Sequence, residues 1–356
     1  MKRGALIFAR PKELQAVAPA EARGLKRDEV RLLVSRPEGH THDTFTHLAR
    51  YLEPGDLLVV NRSATIPASL PACGREGEFI LNLSTRYGPD LWLAEPRWSS
   101  AEPGPLPLRP GESIEVAGMG AQAVLPFPQI ERLWFVRFKG DSAEAVACCG
   151  RPIRYGYVPV DYPLDAYQTI FSAVPGSSEM PSASRPFTRR VLDSLEERGV
   201  ALAEIVLHTG VSSLEVEEET VEEHPLYPEP FRVPSATAEA VNATRREGRR
   251  VIAIGTTVVR ALESAWDGAQ VRPAQGFTRV YVHPERGLHV VDGLLTGFHD
   301  PVTSHLAMLY ALAGQALIRD AYREAVAEGY LWHEFGDSHL ILPGREAAQR
   351  QAGAAA

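Results

Sequence analysis

Between about residues 65 and 147 the chain changes its hydrophobic period, and that change limits the architectures open to it. The segments EFILNLS (78–84), LWLAEP (91–96), SIEVAG (113–118), AQAVLP (121–126) and ERLWFVRF (131–138) alternate apolar and polar residues and are broken by Gly and Pro, including the proline-rich AEPGPLPLRPGE (101–112). Short strands at such close intervals suit an antiparallel sheet or small barrel. On both sides the texture is α/β. RLLVS (31–35) and GDLLVVN (55–61) read as strands, with the helix-like THDTFTHLARYL (41–52) between them. After Gly150 come a predicted helix at 187–198, the strand VALAEIVLH (200–208), a helix at 235–246 and a strand–turn–helix at 248–265. The reading is an α/β main domain, residues 1–65 plus 149–345, carrying an inserted all-β, antiparallel, barrel-like domain at 66–148. The hinges fall near 61–66 and 150–155, and a C-terminal tail occupies 346–356.

A chain of 356 residues with 44% hydrophobic and 23% charged residues is long enough for two globular domains. No apolar run approaches the ~20 residues of a bilayer span, and the short apolar stretch before Arg10 does not make a signal peptide, so a cytoplasmic protein is expected. Cys73, Cys148 and Cys149 fit neither a disulfide framework nor a paired-Cys zinc site, and reduced thiols are expected. A formal net charge of −8 argues against a protein coated in nucleic acid, while basic clusters at 23–31, 185–190 and 245–250 leave room for a local basic face.

Candidate chemistry gathers in the second α/β part. In GRRVIAIGTTVVRALESA (248–265) a buried-looking strand runs through Gly255, Thr256 and Thr257 into a helix. A helix N-terminus carries unpaired N–H groups and partial positive charge, so this turn either receives a polar or anionic ligand or is only a tight turn with a threonine cap. HVVDGLLTGFHDPVTSHLAML (289–309) places Asp292, Thr296, His299 and Asp300 between a strand and an apolar helix, and EFGDSHLIL (334–342) adds Asp337. Polar groups at the edge of apolar structure are costly unless paired or used, and a histidine there can act as acid or base. No GxSxG, Walker, GxGxxG or HExxH motif occurs.

These residues carry a resemblance. GRRVIAIGTTVVRALESA, VVDGLLTGFHDP, GDLLVVNRSATIPASL, AYQTIFSAVPG and FGDSHLIL, spread from Arg31 to Leu342, together resemble the S-adenosylmethionine:tRNA ribosyltransferase-isomerases of queuosine biosynthesis, the QueA family. The resemblance implies an α/β domain with an inserted β-barrel-like domain. It also implies transfer of the ribosyl group of S-adenosylmethionine to the aminomethyl arm of a 7-deazaguanine in tRNA, isomerisation to an epoxycyclopentanediol, and release of adenine and methionine. Partners are S-adenosylmethionine and tRNA, with no metal, membrane or further cofactor. Carried onto this sequence, the catalytic candidates are His299, Asp292, His208 and Glu229. The substrate-binding candidates are Asn61, Ser182, Gly210, Tyr227, Gly255, Thr256, Thr257, Arg260, Thr296, Phe298 and Asp337.

Departures from the family pattern fall on the blocks expected to touch substrate. PTAGLHF appears as PSASRPF (181–187), LHVGxGTFxPV as LHTGVSSLEVE (207–217), MHxE as LYPE (226–229), TNFHLP as TGFHDP (296–301), and two arginines near Asn61 are replaced by Ala64 and Ser69. Losing a histidine and arginines removes an acid–base group and phosphate-neutralising charge. The alternatives are a paralogue that binds S-adenosylmethionine but uses a small-molecule acceptor, or a non-catalytic nucleoside-binding protein.

Overall fold

The computed structural model describes residues 1–100, 102–211 and 215–344. The expected tail at 346–356 and the Ser212–Leu214 part of the LHTGVSSLEVE block lie outside the described residues.

The main body is built on a nine-stranded mixed sheet in the spatial order 274–278, 229–233, 201–207, 57–61, 251–254, 293–297, 338–341, 31–36 and 39–44. Four neighbouring strands at its centre, Ala201–Leu207, Leu57–Asn61, Val251–Ile254 and Gly293–Gly297, run parallel. Alternation along these strands fills both faces, because successive side chains point to opposite sides. Leu57, Val59, Val251 and Ala253 join one core with the helices Ser235–Arg246, Thr256–Ser264, Ser304–Ala313 and Gln315–Ala327. Leu58, Val60, Ile252 and Ile254 join the opposite core with Phe45, Leu48 and the helix Arg189–Glu197.

The expected helix over 41–52 is a correction. Gly39–Thr44 is an edge strand paired antiparallel with Arg31–Arg36, and only Phe45–Tyr51 winds, as a 3-10 helix. Thr41, Thr44 and the polar run before Phe45 lack a helical apolar stripe, so pairing with an existing edge prevails.

The inserted segment forms a closed six-stranded antiparallel barrel, 130–138, 91–97, 77–86, 69–74, 112–116 and 119–127 in order around the ring. Its interior is filled by Leu81, Leu83, Leu93, Val116, Ala121, Ala123 and Val136, all with no exposure. The neck between the two parts holds a short parallel pair, Ser63–Thr65 with Val174–Ser177, and a bridge between Ser69 and Arg151. Val211 and Tyr227, from the α/β part, complete the barrel's core.

Candidate active site

Parallel strands deliver their carboxyl ends to one edge of a sheet, where loops can converge on a ligand. Here Leu207, Ile254 and Gly297 end at that edge, and the following residues wall a cavity of about 370 Å³. Thr209, Gly255, Thr256, Thr257, Thr296, Phe298 and His299 come from the sheet. Ser182 and its neighbours come from the segment after the neck, together with Tyr155, Tyr157 and Glu179, and His333 and Glu334 close the side.

The turn after Val251–Ile254 depends on glycine. Gly255 has φ +92°, a conformation that L side chains rarely adopt, and it is the N-cap of the helix Thr256–Ser264. Neither threonine caps this helix; Thr257 Oγ1 instead accepts a hydrogen bond from Asn61 Nδ2 at 3.2 Å. The helix N-terminus therefore opens on the cavity with its macrodipole directed there. Asn61 stands behind this wall, its amide bridging to the Leu207 N–H and C=O and to the Ser63 N–H.

His299 is anchored from several sides. Its backbone N–H donates to Tyr322 Oη at 3.1 Å, its carbonyl accepts from Trp332 Nε1 at 3.1 Å, and its Nε2 lies 2.8 Å from Thr296 Oγ1. The ring stacks on His305 with centroids 4.7 Å apart. Burial, reinforced by the fields of His305, His333 and His339, holds its pKa well below the usual histidine range. At neutral pH it is an uncharged imidazole, able to accept a proton.

Arg260 reaches the cavity from the helix, its Nη1 paired with Glu229 Oε2 and its Nε donating to the Val280 carbonyl at 3.1 Å. Glu229 Oε1 accepts the Gly210 N–H at 2.7 Å, so both carboxylate oxygens are engaged. This geometry makes Glu229 a group that positions Arg260.

Other sequence candidates fall outside the cavity. Asp292 is level with Val251, whose N–H it binds at 2.9 Å, because the register Ile252↔Gly293 sets it at the amino ends of the strands. Asp337 is buried as a staple, accepting the Arg31 N–H at 2.9 Å and the Leu331 N–H at 2.8 Å. Tyr227 is packed in the barrel core with its hydroxyl donating to the Val211 carbonyl. Gly210 lies so close to it that a Cβ would sit 2.3 Å from Ser84 Oγ and 2.8 Å from the Tyr227 ring. His208 points to the other side of the neck, its Nδ1 2.7 Å from Ser63 Oγ, where it lines a separate cleft with Tyr87, Trp92 and Gly176.

Sequence reasoning missed Tyr155, Tyr157, Glu179, His305, His333 and Glu334 as site residues. Tyr155 and Tyr157 stack at 5.6 Å, and Tyr157 lies against His333 with centroids 4.6 Å apart. His333 Nε2 is 2.5 Å from Asp300 Oδ2, which also sits beside Arg10. The available signal was the cluster YGY at 155–157 next to a neck, and the polar pair preceding FGDSHLIL. Arg185, where the family pattern has leucine, is buried and bound to Glu21 and the Ala166 carbonyl.

A family model described as queuosine biosynthesis protein matches residues 5–341. The chain belongs to this family. Among relatives of the queuosine biosynthesis family, an S-adenosylmethionine:tRNA ribosyltransferase-isomerase of Thermus thermophilus is 39% identical over 325 residues, covering 89% of this chain and 93% of its own. Proteins of the same name from Rubrobacter xylanophilus and Carboxydothermus hydrogenoformans are 38% and 37% identical, covering 97% and 93% of this chain and 98% and 97% of their own. The crystal structure of an S-adenosylmethionine tRNA ribosyltransferase from Thermotoga maritima superposes with a TM-score of 0.54 at 27% identity, covering 95% of this chain and all of that one. The fold shared with this solved structure is the mixed α/β sheet with its closed antiparallel barrel.

Proposed function

We propose that this protein is an S-adenosylmethionine-dependent ribosyltransferase-isomerase acting on a tRNA that bears 7-aminomethyl-7-deazaguanine, giving epoxyqueuosine, adenine and methionine. The observation that carries the reading is the cavity itself: in a chain similar along nearly its whole length to enzymes of that name, a helix N-terminus, a neutral imidazole and an arginine paired with Glu229 face one space. In this reading Ser182, Gly255, Thr256, Thr257, Arg260, Thr296 and Phe298 hold S-adenosylmethionine. The sulfonium draws electrons from the neighbouring 5′ carbon, and neutral His299 accepts the proton released there. Exclusion of water by the aromatic wall of Tyr155, Tyr157 and Phe298 protects the reactive ribosyl fragment from hydrolysis. Among the described residues no helix is long and apolar enough to cross a membrane, and the proposed place of action is the cytoplasm, where the tRNA is.

We also take residues 66–148 as a domain inserted in a main domain of residues 1–65 and 149–345, the closed barrel and the core that fills it, completed by Val211 and Tyr227, being the support. The deciding experiment incubates purified protein with S-adenosylmethionine and the modified tRNA. Release of adenine and methionine that requires that tRNA is expected. Binding of S-adenosylmethionine with no turnover on the tRNA would overturn the assignment of acceptor and favour the small-molecule paralogue.

A further inference from the structure

Five carboxyl-bearing residues line the cavity, Glu179, Glu215, Glu229, Asp300 and Glu334, and their surroundings differ. Glu229 is matched by Arg260 and the Gly210 N–H, and Asp300 by Arg10 and His333. Glu334 has no such match: its Oε1 is buried and accepts no hydrogen bond. Arg185, the cation whose field reaches it, is engaged with Glu21 and the Ala166 carbonyl. Arg27, which lines a small pocket with it, is paired with Glu21, and the other titratable groups near it include Glu179 and the hydroxyls of Tyr157 and Tyr167, with His333 next to it in the chain. None of these offers Glu334 a second positive charge, since His333 is taken by Asp300 and Arg27 by Glu21. A carboxyl with an oxygen buried this way is costly when ionised unless a cation or donor completes it.

We propose that Glu334 is the counter-ion for the positive charge of the bound cosubstrate, its half-buried side chain, with Oε1 buried and unpartnered, lying in the wall of the same cavity as Gly255, Arg260 and His299. This deepens the proposed function, because the charge in question is that of S-adenosylmethionine, a sulfonium together with an α-ammonium. Burial and the nearby Glu179 push the Glu334 carboxyl up to about 8, so at pH 7 it is mostly protonated. A cation arriving beside it favours the carboxylate, and the proton leaves to solvent as the ion pair forms. Ligand and proton thus exchange at one site.

The test is calorimetric and needs no turnover. Titrating the full chain with S-adenosylmethionine at pH 7 in buffers of different ionisation enthalpy is expected to show release of about one proton per site. Glu334→Gln is expected to abolish that release and to weaken S-adenosylmethionine on the order of tenfold or more, as for loss of a charged hydrogen-bond partner. Methylthioadenosine, which lacks both cationic groups, should bind wild type and variant alike, which also reports an intact cavity. S-adenosylhomocysteine, which keeps only the ammonium, separates the two sources. An unchanged affinity for it in Glu334→Gln assigns the sulfonium, and a parallel loss assigns the ammonium.

Proton release that persists in Glu334→Gln, or equal weakening of methylthioadenosine and S-adenosylmethionine, would overturn the proposal. Failure of the enzymatic reading looks different: charge-selective binding would remain while the modified tRNA gives no adenine.

Discussion

Removing Arg260 alone should cost far more stability than removing it together with Glu229. The pair is secluded, with side-chain exposures of 14% for Arg260 and 4% for Glu229. In Arg260→Met the Glu229 carboxylate keeps the Gly210 N–H but loses its cationic partner and faces an apolar neighbour. Breaking a buried pair in this way typically costs about 3–5 kcal/mol. In the double variant Arg260→Met/Glu229→Met no uncompensated charge remains. Its cost reduces to the orphaned Gly210 N–H and the lost bond to the Val280 carbonyl, about 1–3 kcal/mol for an unsatisfied buried group. Urea unfolding followed by far-ultraviolet circular dichroism, with Glu229→Met completing the cycle, measures the coupling. The double variant should be more stable than Arg260→Met by roughly 2 kcal/mol. Additivity of the two single losses within about 0.5 kcal/mol would show that the carboxylate does not depend on the guanidinium, and would refute its assignment as a positioning group.

His299→Ala should slow adenine release by about 10²- to 10⁴-fold with cosubstrate affinity nearly retained, as for loss of a proton acceptor; single-turnover kinetics at unchanged rate would exclude the role. Gly255→Ala should lose about 1–3 kcal/mol in thermal or urea unfolding, because φ +92° is strained for alanine, and a neutral result would mean that the turn relaxes freely. Burial lowers His305 to about 4 and His339 to about 3. Their folded pKa values lie below the unfolded value of about 6.5, so the unfolded chain binds more protons and stability falls as pH drops from about 6.5 through about 4 and about 3, by ~3 kcal/mol for His305 alone. A melting temperature that stays flat between pH 7 and pH 4.5, or that declines equally in His305→Gln, would contradict this.

Elements with a local signature were legible in the sequence. The strand-to-helix turn at Gly255 and the alternating barrel segments appear because hydrophobic period and glycine act within a few residues. Ser69–Gly74, by contrast, was not recognised as a barrel strand. Pro71 and the short SLPACG pattern disguise it, and only its pairing with 77–86 and 112–116 makes it one. The same distinction runs through the site. His299 and Arg260 sit on strand and helix ends that their own sequence announces, whereas Asp292 and Asp337 carry an equally suggestive spacing and turn out to bind backbone N–H groups. A carboxylate before a strand looks the same whether it closes a turn or faces a ligand, since the difference is set by which distant backbone lies opposite it.

Glu334 shows the converse. It is adjacent in sequence to an exposed-looking polar stretch, and its seclusion arises from Tyr157, Glu179 and Arg185, which lie roughly 150 to 180 positions earlier in the chain. The erosion of the family's substrate-facing blocks is partly explained on the same terms. Arg185 replaces an apolar residue yet finds Glu21 and a carbonyl, and Tyr227 replaces a histidine but faces the barrel core instead of the cavity. Those two substitutions therefore fall on scaffold around the cavity, while the strand-end turn, His299 and the Arg260–Glu229 pair remain together inside it. Retention of that inner set is the physical ground for expecting the family chemistry despite an altered rim.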